Sequence, residues 1–195
     1  MRTFDEILKD MDARGMKVPG KKVYISIHEA KNILHGVMSG LLAGEGRTLT
    51  WIPEYDKVAS WLENNNGRGL FLFGNCGRGK SLLCRYAIPI ILMEYCRKIV
   101  SVFDIQDMYS DLDSVLKKRI ISLDDIGTEE IIVKYGERRD AFPEIIDRAE
   151  KNGNLVIVST NLNQEKLQER YGARILDRIK STTTRVMFEG KSFRK

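Results

Sequence analysis

The chain has 195 residues, of which 43% are hydrophobic and 30% are charged, and its formal net charge is +5. These totals fit one globular domain with a small appendage. The longest apolar run, residues 87–93, ends at Glu94 and is too short to cross a bilayer, which argues against a membrane protein. Three cysteines without a C-x-x-C pair argue against a disulfide scaffold or a metal site. With no signal-peptide pattern at the N-terminus, we expect a cytoplasmic protein with free thiols.

Positive charge is concentrated towards the C-terminal end. Residues 170–195 contain eight Lys and Arg against two Asp and Glu. A basic segment of this kind fits a partner rich in phosphate, such as a nucleic acid. It fits a solvated tail equally well, so composition leaves both interpretations open.

The first part of the chain predicts short helices and a linker. Apolar residues from Phe4 onwards have the spacing of an amphipathic helix, and residues 17–22 resemble a linker. Ser26, with Glu29 three residues later, has the pattern of a capping box and predicts a second helix that continues through Leu42.

The most informative stretch is residues 68–81. An apolar run at 70–73 predicts a buried strand, and it leads into a match to G-x-x-x-x-G-K-[ST], formed by Gly74, Asn75, Cys76, Gly77, Arg78, Gly79, Lys80 and Ser81. Glycines allow successive backbone N–H groups to point at phosphate oxygens, and the following helix adds its positive N-terminus. We therefore expect Lys80 to contact the β- and γ-phosphates of a nucleotide and the Ser81 hydroxyl to ligate Mg²⁺.

The rest of the chain alternates helices with apolar strands. Pro53 opens a predicted helix, and a longer one from Lys80 to about Lys98 contains Pro89, which should kink it. Further strands are predicted at residues 99–103, 120–125, 155–159 and 184–188, with helices over 104–118 and 142–149, an irregular charged segment at 129–137 and short helices through 180. This alternation predicts an α/β fold with a parallel sheet covered on both faces.

Polar residues end two of the other strands. Asp124 and Asp125 close the strand at 120–125, and Asn161 follows the strand at 155–159. Ligands of parallel sheets bind outside the carboxyl ends of the strands, where these residues and the glycine loop should meet. Asp124 is the better Mg²⁺ partner, Asp125 is the candidate for orienting the attacking water, and Asn161 could fix that water or contact the γ-phosphate. Turn-forming or capping roles remain open for all three.

Phosphoryl transfer also benefits from an arginine that faces the γ-phosphate. Arg174 and Arg178 lie one helical turn apart and project from the same helix face. If that face meets the nucleotide of a neighbouring subunit, the arginine is supplied in trans. A surface helix in which Arg174 pairs with Asp177 is the alternative.

Four motifs in order resemble the DnaC/IstB group of AAA+ ATPases, which contains bacterial helicase loaders, their phage and mobile-element relatives, and transposition helper ATPases. The resemblance covers about residues 50–195 and rests on Gly-Asn-Cys-Gly-Arg-Gly-Lys-Ser (74–81), Ile-Ser-Leu-Asp-Asp-Ile-Gly (121–127), Val-Ser-Thr-Asn-Leu (158–162) and Tyr-Gly-Ala-Arg-Ile-Leu-Asp-Arg-Ile (171–179). It implies a P-loop NTPase fold of the AAA+ (ASCE) type, with strand order 5-1-4-3-2 and no C-terminal lid domain. Residues 1–48 are then a short helical segment that could bind a partner, and residues 49–195 are the ATPase domain.

The resemblance also assigns roles to single residues. ATP would be bound by Gly74, Asn75, Cys76, Gly77, Arg78, Gly79, Lys80, Ser81, Leu82 and Arg194, the last through a sensor-2-like contact. Ser81 and Asp124 would hold Mg²⁺, Asp125 would activate water and Asn161 would be sensor 1. Arg178 takes the arginine-finger position, with Arg174 beside it.

The function implied by the resemblance is that of an ATP-hydrolysing helicase loader. Members of the group assemble head-to-tail with nucleotide at the subunit interfaces, bind single-stranded DNA and act on a replicative helicase, or on a transposase in the IstB branch. The stretch between the second predicted strand and Asp124 is short, whereas loaders usually insert an extra helix there, which leaves the mode of DNA binding open. A transposition helper is the first alternative, followed by a small-molecule kinase and an ATP switch that hydrolyses almost nothing.

Overall fold

A central five-stranded sheet organises the chain. The computed structural model describes residues 2–104, 108, 111–127, 133–134, 137–138 and 140–193. We number the strands of this sheet β1 (Gly69–Gly74), β2 (Ser101–Phe103), β3 (Ile120–Ile126), β4 (Leu155–Thr160) and β5 (Thr183–Phe188). All neighbouring strands are parallel and their order is β5-β1-β4-β3-β2, which confirms the predicted order.

Seven helices accompany the sheet in the described part of the chain. They are α1 (Phe4–Ala13), α2 (Ala30–Ala43), α3 (Pro53–Glu63), α4 (the consecutive parts Lys80–Leu82, Leu83–Ala87 and Ile88–Cys96), α5 (Leu112–Leu116), α6 (Ala141–Asn152) and α7 (Gln164–Thr182). The segment expected to be irregular contains a short antiparallel pair, Val133–Lys134 with Glu137–Arg138. Residues 105–107, 109 and 110 of the helix predicted at 104–118 lie outside the described residues, as do residues 129–132, 135 and 136 of the segment expected to be irregular.

Hydrophobic cores lie on both faces of the sheet, as predicted. Alternate residues of β1 are buried in different cores, with Leu70 and Leu72 on one face of the sheet and Phe71 on the other. Helices α2, α3 and α4 cover the first face, and α5, α6 and α7 cover the second. Within the described part of the chain, no helix is long and apolar enough to span a membrane.

Helix α2 begins at Ala30, so the predicted start at Ser26 was wrong. Residues 23–27 belong to no helix or strand, and their alternate side chains Val23, Ile25 and Ile27 are buried, as in an extended segment. The buried Asn65 side chain accepts a hydrogen bond from the Ile25 N–H at 2.8 Å and donates one to the Val23 carbonyl at 2.9 Å. These contacts across 40 residues favour an extended backbone over the local capping signal.

Pro89 produces a change of helix type in α4. The segment Leu83–Ala87 is π-helical, and the Ile88 N–H donates to the Leu83 carbonyl five residues earlier. The Cys84 carbonyl thereby loses Ile88 as a donor, and Pro89 has no N–H to replace it. The Ser122 hydroxyl of β3 donates to this carbonyl at 2.8 Å, so the widened turn ties α4 to β3 two residues before Asp124.

Candidate functional site

The glycine loop connects β1 to α4 and is packed too tightly for side chains at two of its positions. A Cβ at Gly79 would lie 2.4 Å from the Tyr55 hydroxyl oxygen, and one at Gly77 would lie 2.0 Å from Ser192 Oγ. Both glycines have a positive φ, which also favours glycine. Burial raises the pKa of Tyr55 to about 12, so its hydroxyl stays protonated and donates to the Arg78 carbonyl at 3.0 Å.

Lys80 is buried inside this loop, with 5% of its surface exposed. Its ammonium group donates to the Gly74 carbonyl at 2.8 Å, the Asn75 carbonyl at 2.7 Å and Asn161 Oδ1 at 2.9 Å. Burial lowers the pKa of Lys80, and nearby negative groups, Asp124 and Asp125 among them, oppose that shift. The ammonium group is therefore held in place by three oxygens, which are the kind of ligand that a triphosphate also offers.

Asp124 and Asp125 occupy an irregular end of β3. The pairing of β3 with β4 shifts register between Leu123 and Ile126, and Asp125 has a left-handed φ of 57°. The Asp125 N–H donates to Ser159 Oγ at 3.0 Å, and that hydroxyl donates to Asp124 Oδ1 at 2.5 Å. Ser159 thus stabilises a bulge that gives the two carboxylates different surroundings.

Asp124 is buried, with 6% of its surface exposed, and its Oδ2 lies 3.7 Å from Arg85 Nη1. Asp125 lines a cavity, and its Oδ1 accepts a hydrogen bond from Asn161 Nδ2 at 2.6 Å. Because Asn161 also accepts from Lys80, a chain of hydrogen bonds joins the ends of β1, β3 and β4. The structure therefore brings together the loop lysine, the aspartate pair and the asparagine that the sequence pointed to.

The cavity beside this chain of hydrogen bonds has a volume of about 1000 Å³. Its lining from the glycine loop and the strand ends comprises Cys76, Gly77, Gly79, Lys80, Ser81, Leu82, Asp125 and Asn161. Sequence reasoning missed the rest of the lining, which is Leu42, residues 45–50, Tyr55, Tyr86 and Phe193. None of the four motifs contains these residues. The lining includes residues on both sides of the predicted domain boundary at residue 48, and that boundary stays a prediction.

The C-terminal residues up to Phe193 pack against the glycine loop through Arg78. Arg78 Nη2 lies 3.2 Å from Glu54 Oε1, both side chains are 11% exposed, and the Arg78 guanidinium stacks over the Phe193 ring at 4.5 Å. The Phe193 N–H donates to the Gly77 carbonyl at 2.9 Å, and the Glu189 N–H donates to Glu54 Oε1 at 3.1 Å. Glu54 therefore links helix α3, the glycine loop and the end of β5.

We expect Glu54→Gln to destabilise the fold by about 1–3 kcal/mol at pH 7, because it removes a buried charge from this cluster. Burial alone would raise the pKa of Glu54, but hydrogen bonds from the backbone N–H groups of Glu54 and Glu189 and from Arg78 outweigh burial, and the pKa lies below its ordinary 4.5. The stabilisation is thus present above pH 4.5 and is lost as the pH falls through the lowered pKa. Urea unfolding at pH 7 and below about pH 4 measures this, and an equal effect at both pH values would contradict it.

Arg174 and Arg178 do not line this cavity. Arg178 is 16% exposed and forms ion pairs with Asp147 and with Glu150, the latter at 3.0 Å, while Arg174 lies 3.8 Å from Asp147. Both arginines of α7 therefore pair with carboxylates of α6 in the single chain, and Arg174 pairs with Asp147 rather than with Asp177, its partner in the alternative interpretation. Arg194 lies outside the described residues.

The fold and the site define an α/β P-loop class: a parallel sheet whose strand ends carry a glycine loop, a buried lysine, two aspartates and an asparagine. No protein-family model matches the sequence, and no curated protein is significantly similar to it.

Solved structures show which P-loop fold this is. DnaI superposes with a TM-score of 0.59 at 19% identity, over 87% of this chain and 96% of DnaI. The DnaC helicase loader superposes with a TM-score of 0.57 at 20% identity, over 72% of this chain and 93% of the loader. AMPPCP-bound DnaA from Aquifex aeolicus gives 0.52 at 20% identity, over 72% of this chain and 48% of DnaA. The chain therefore has the AAA+ fold of the DnaC type, as the motifs predicted.

Proposed function

We propose that the chain is a Mg²⁺-dependent ATPase that assembles on single-stranded DNA and loads or remodels a replicative helicase. The observation that supports this best is the chain of hydrogen bonds from Lys80 through Asn161 to Asp125 at the wall of the cavity. A volume of about 1000 Å³ lies within the range that ligand sites of proteins occupy. The AMPPCP-bound DnaA structure is similar to this chain, which supports a nucleotide as the ligand.

Lys80 and Asp125 have separate tasks in this proposal. Lys80 exchanges its contacts with loop carbonyls for phosphate oxygens and neutralises the charge that develops at the γ-phosphate. Asp125 accepts a hydrogen bond from the attacking water, and Asn161 fixes the position of that carboxylate through the 2.6 Å bond.

The residues present fit a magnesium ion. Among the described residues, no cluster of three or more His, Cys, Asp or Glu could hold a metal, so the site does not coordinate a metal ion with protein ligands alone. Mg²⁺ instead binds through one or two protein oxygens plus phosphates and waters. The Ser81 hydroxyl and the Asp124 carboxylate would supply those oxygens, and the ion would draw negative charge from the phosphates.

A replicative helicase is the proposed partner because DnaC, a helicase loader, is among the similar structures. Helix α1 offers a surface for it, since none of its residues is buried and Phe4 and Ile7 are 70% and 41% exposed. A transposase is the partner in the alternative proposal, a transposition helper ATPase with the same site.

Co-purification of the full chain from its host, with ATP and then with ADP, tests the choice of partner. We expect a replicative helicase to be retained with ATP and lost with ADP. Retention of a transposase would favour the transposition helper and overturn the loader. If a Lys80→Ala variant retains the same proteins, binding of the partner does not depend on nucleotide, which would contradict this proposal.

A further inference from the structure

The edge of the sheet opposite the nucleotide cavity carries an excess of positive charge. We consider the four residues that precede each of the five strands, which are residues 65–68, 97–100, 116–119, 151–154 and 179–182. These twenty residues include no Asp or Glu, and they include eight basic side chains: Arg68, Arg97, Lys98, Lys117, Lys118, Arg119, Lys151 and Lys180. We call these eight residues the basic edge. Since the whole chain has a net charge of +5, the other 175 residues carry a net charge of −3.

The register of the sheet aligns these residues. Gly69 pairs with Thr183, Leu70 with Ile157 and Ile120 with Leu155, so β1, β5, β4 and β3 begin within about two residues of one another. On the other side of β3, Ser101 of β2 pairs with Ile121. Five strands spaced about 4.8 Å apart give this edge a width of about 20 Å. All eight charges therefore lie along one edge of the molecule.

Helix ends account for only part of this charge. The helices that precede the strands also end at this edge, and a helix C-terminus stabilises a nearby cation. Arg119 serves such a role by donating to the Asn152 carbonyl at 2.6 Å, and Arg68 by donating to the carbonyls of Lys180 and Thr183. Six basic side chains remain exposed or half-buried, and none of them is ion-paired with a carboxylate of the described residues.

The extended segment before α2 adds charge and aromatic surface to this edge. The backbone of residues 20–21 packs against Gly153, and the side chains of Lys22 and Tyr24 lie against Gly67. Tyr24 is 65% exposed, and Tyr95, two residues before Arg97, is 54% exposed. Exposed tyrosines among lysines and arginines are the combination that single-stranded nucleic acids bind, because bases stack on the rings while phosphates contact the cations.

We infer that the basic edge is a binding surface for the sugar-phosphate backbone of a single-stranded nucleic acid. This inference deepens the DNA-binding part of the proposed function by naming the surface, and it places that surface on the opposite side of the sheet from ATP hydrolysis. A width of about 20 Å is enough for several consecutive phosphates of one strand. Binding is driven by release of counterions from those phosphates and does not require bound nucleotide.

The test compares two variants of the full chain with equal charge change. The first replaces three residues of the basic edge, Lys98→Glu, Lys117→Glu and Lys118→Glu. The control replaces three exposed lysines elsewhere, Lys9→Glu, Lys57→Glu and Lys166→Glu. Fluorescence anisotropy with a labelled oligothymidine of about 30 nucleotides measures affinity between about 50 and 200 mM salt, and ATP hydrolysis is measured in parallel.

We expect the basic-edge variant to bind at least about tenfold more weakly than the control, and the log–log slope of its salt dependence to become shallower by about 0.7 for each phosphate that it no longer neutralises. ATP hydrolysis without DNA should be the same in both variants. Equal affinity of the two variants would overturn the assignment of the surface and leave the ATPase proposal standing. A wild-type chain that does not bind the oligonucleotide would overturn both this surface and the DNA-binding part of the proposed function.

Discussion

Lys80→Ala should abolish ATP binding or turnover, with a loss of at least about 100-fold. The ammonium group makes three charge-assisted hydrogen bonds in the structure, and we expect phosphate oxygens to replace some of these partners. Removing two such bonds of about 1.5 kcal/mol each costs about 3 kcal/mol, which corresponds to a loss of about two orders of magnitude in binding or rate. Isothermal titration calorimetry with ATP and steady-state phosphate release measure the two effects.

A lysine on the same face of the sheet provides the control. Lys57 of α3 is exposed and does not line the cavity, so Lys57→Ala should bind and hydrolyse ATP as the wild type does. Thermal unfolding of both variants shows whether Lys80→Ala remains folded, since the substitution removes a donor from the Gly74 and Asn75 carbonyls. Unchanged hydrolysis by a folded Lys80→Ala variant would contradict the assignment of the site.

Arg178→Ala should still bind ATP but hydrolyse it about 10³–10⁵ times more slowly if Arg178 acts on the nucleotide of a neighbouring subunit. In the single chain, Arg178 pairs with Asp147 and Glu150 of α6 and does not line its own cavity. On assembly, the Arg178 side chain must then leave at least one of these carboxylates and contact the γ-phosphate of the nucleotide in the neighbouring subunit. Single-turnover hydrolysis at saturating ATP measures the expected loss.

The ion pairs of Arg178 require a matched control, because their removal alone could disturb α6 and α7. Glu150→Gln breaks the 3.0 Å pair and keeps the arginine, so it should retain most of the hydrolysis. Mixing Arg178→Ala with Asp124→Ala should restore some turnover, because mixed interfaces combine an intact cavity with an intact arginine. Equal reductions in Glu150→Gln and Arg178→Ala, or no recovery at any mixing ratio, would count against an arginine supplied in trans.

Local sequence patterns explain which features could be predicted from the sequence. The apolar run at 70–73 and the glycines that follow it specify a strand and a phosphate loop through their own steric properties. The alternation of strands and helices restricts the sheet to a few parallel arrangements, and the resemblance of four motifs to DnaC and IstB selected one of them. Asp124, Asp125 and Asn161 could be grouped because all carboxyl ends of a parallel sheet meet at one edge.

Contacts between distant residues explain what could not be predicted. Ser26 has a local capping signal, but Asn65 holds the neighbouring backbone at Val23 and Ile25 in an extended form. Arg78 belongs to the glycine loop by sequence, whereas its side chain pairs with Glu54, 24 residues earlier. The lining formed by residues 45–50 depends on how α2 and α3 pack on the sheet, which no local pattern specifies.

A crystal structure of the chain with Mg²⁺ and a non-hydrolysable ATP analogue tests the central claim most directly. We predict that the triphosphate lies along residues 74–81, that Lys80 leaves the Asn75 carbonyl for a phosphate oxygen, and that Mg²⁺ is bound by Ser81 and, directly or through water, by Asp124. A nucleotide bound outside the cavity, or a Lys80 that keeps all three of its present contacts when the nucleotide is bound, would contradict the account.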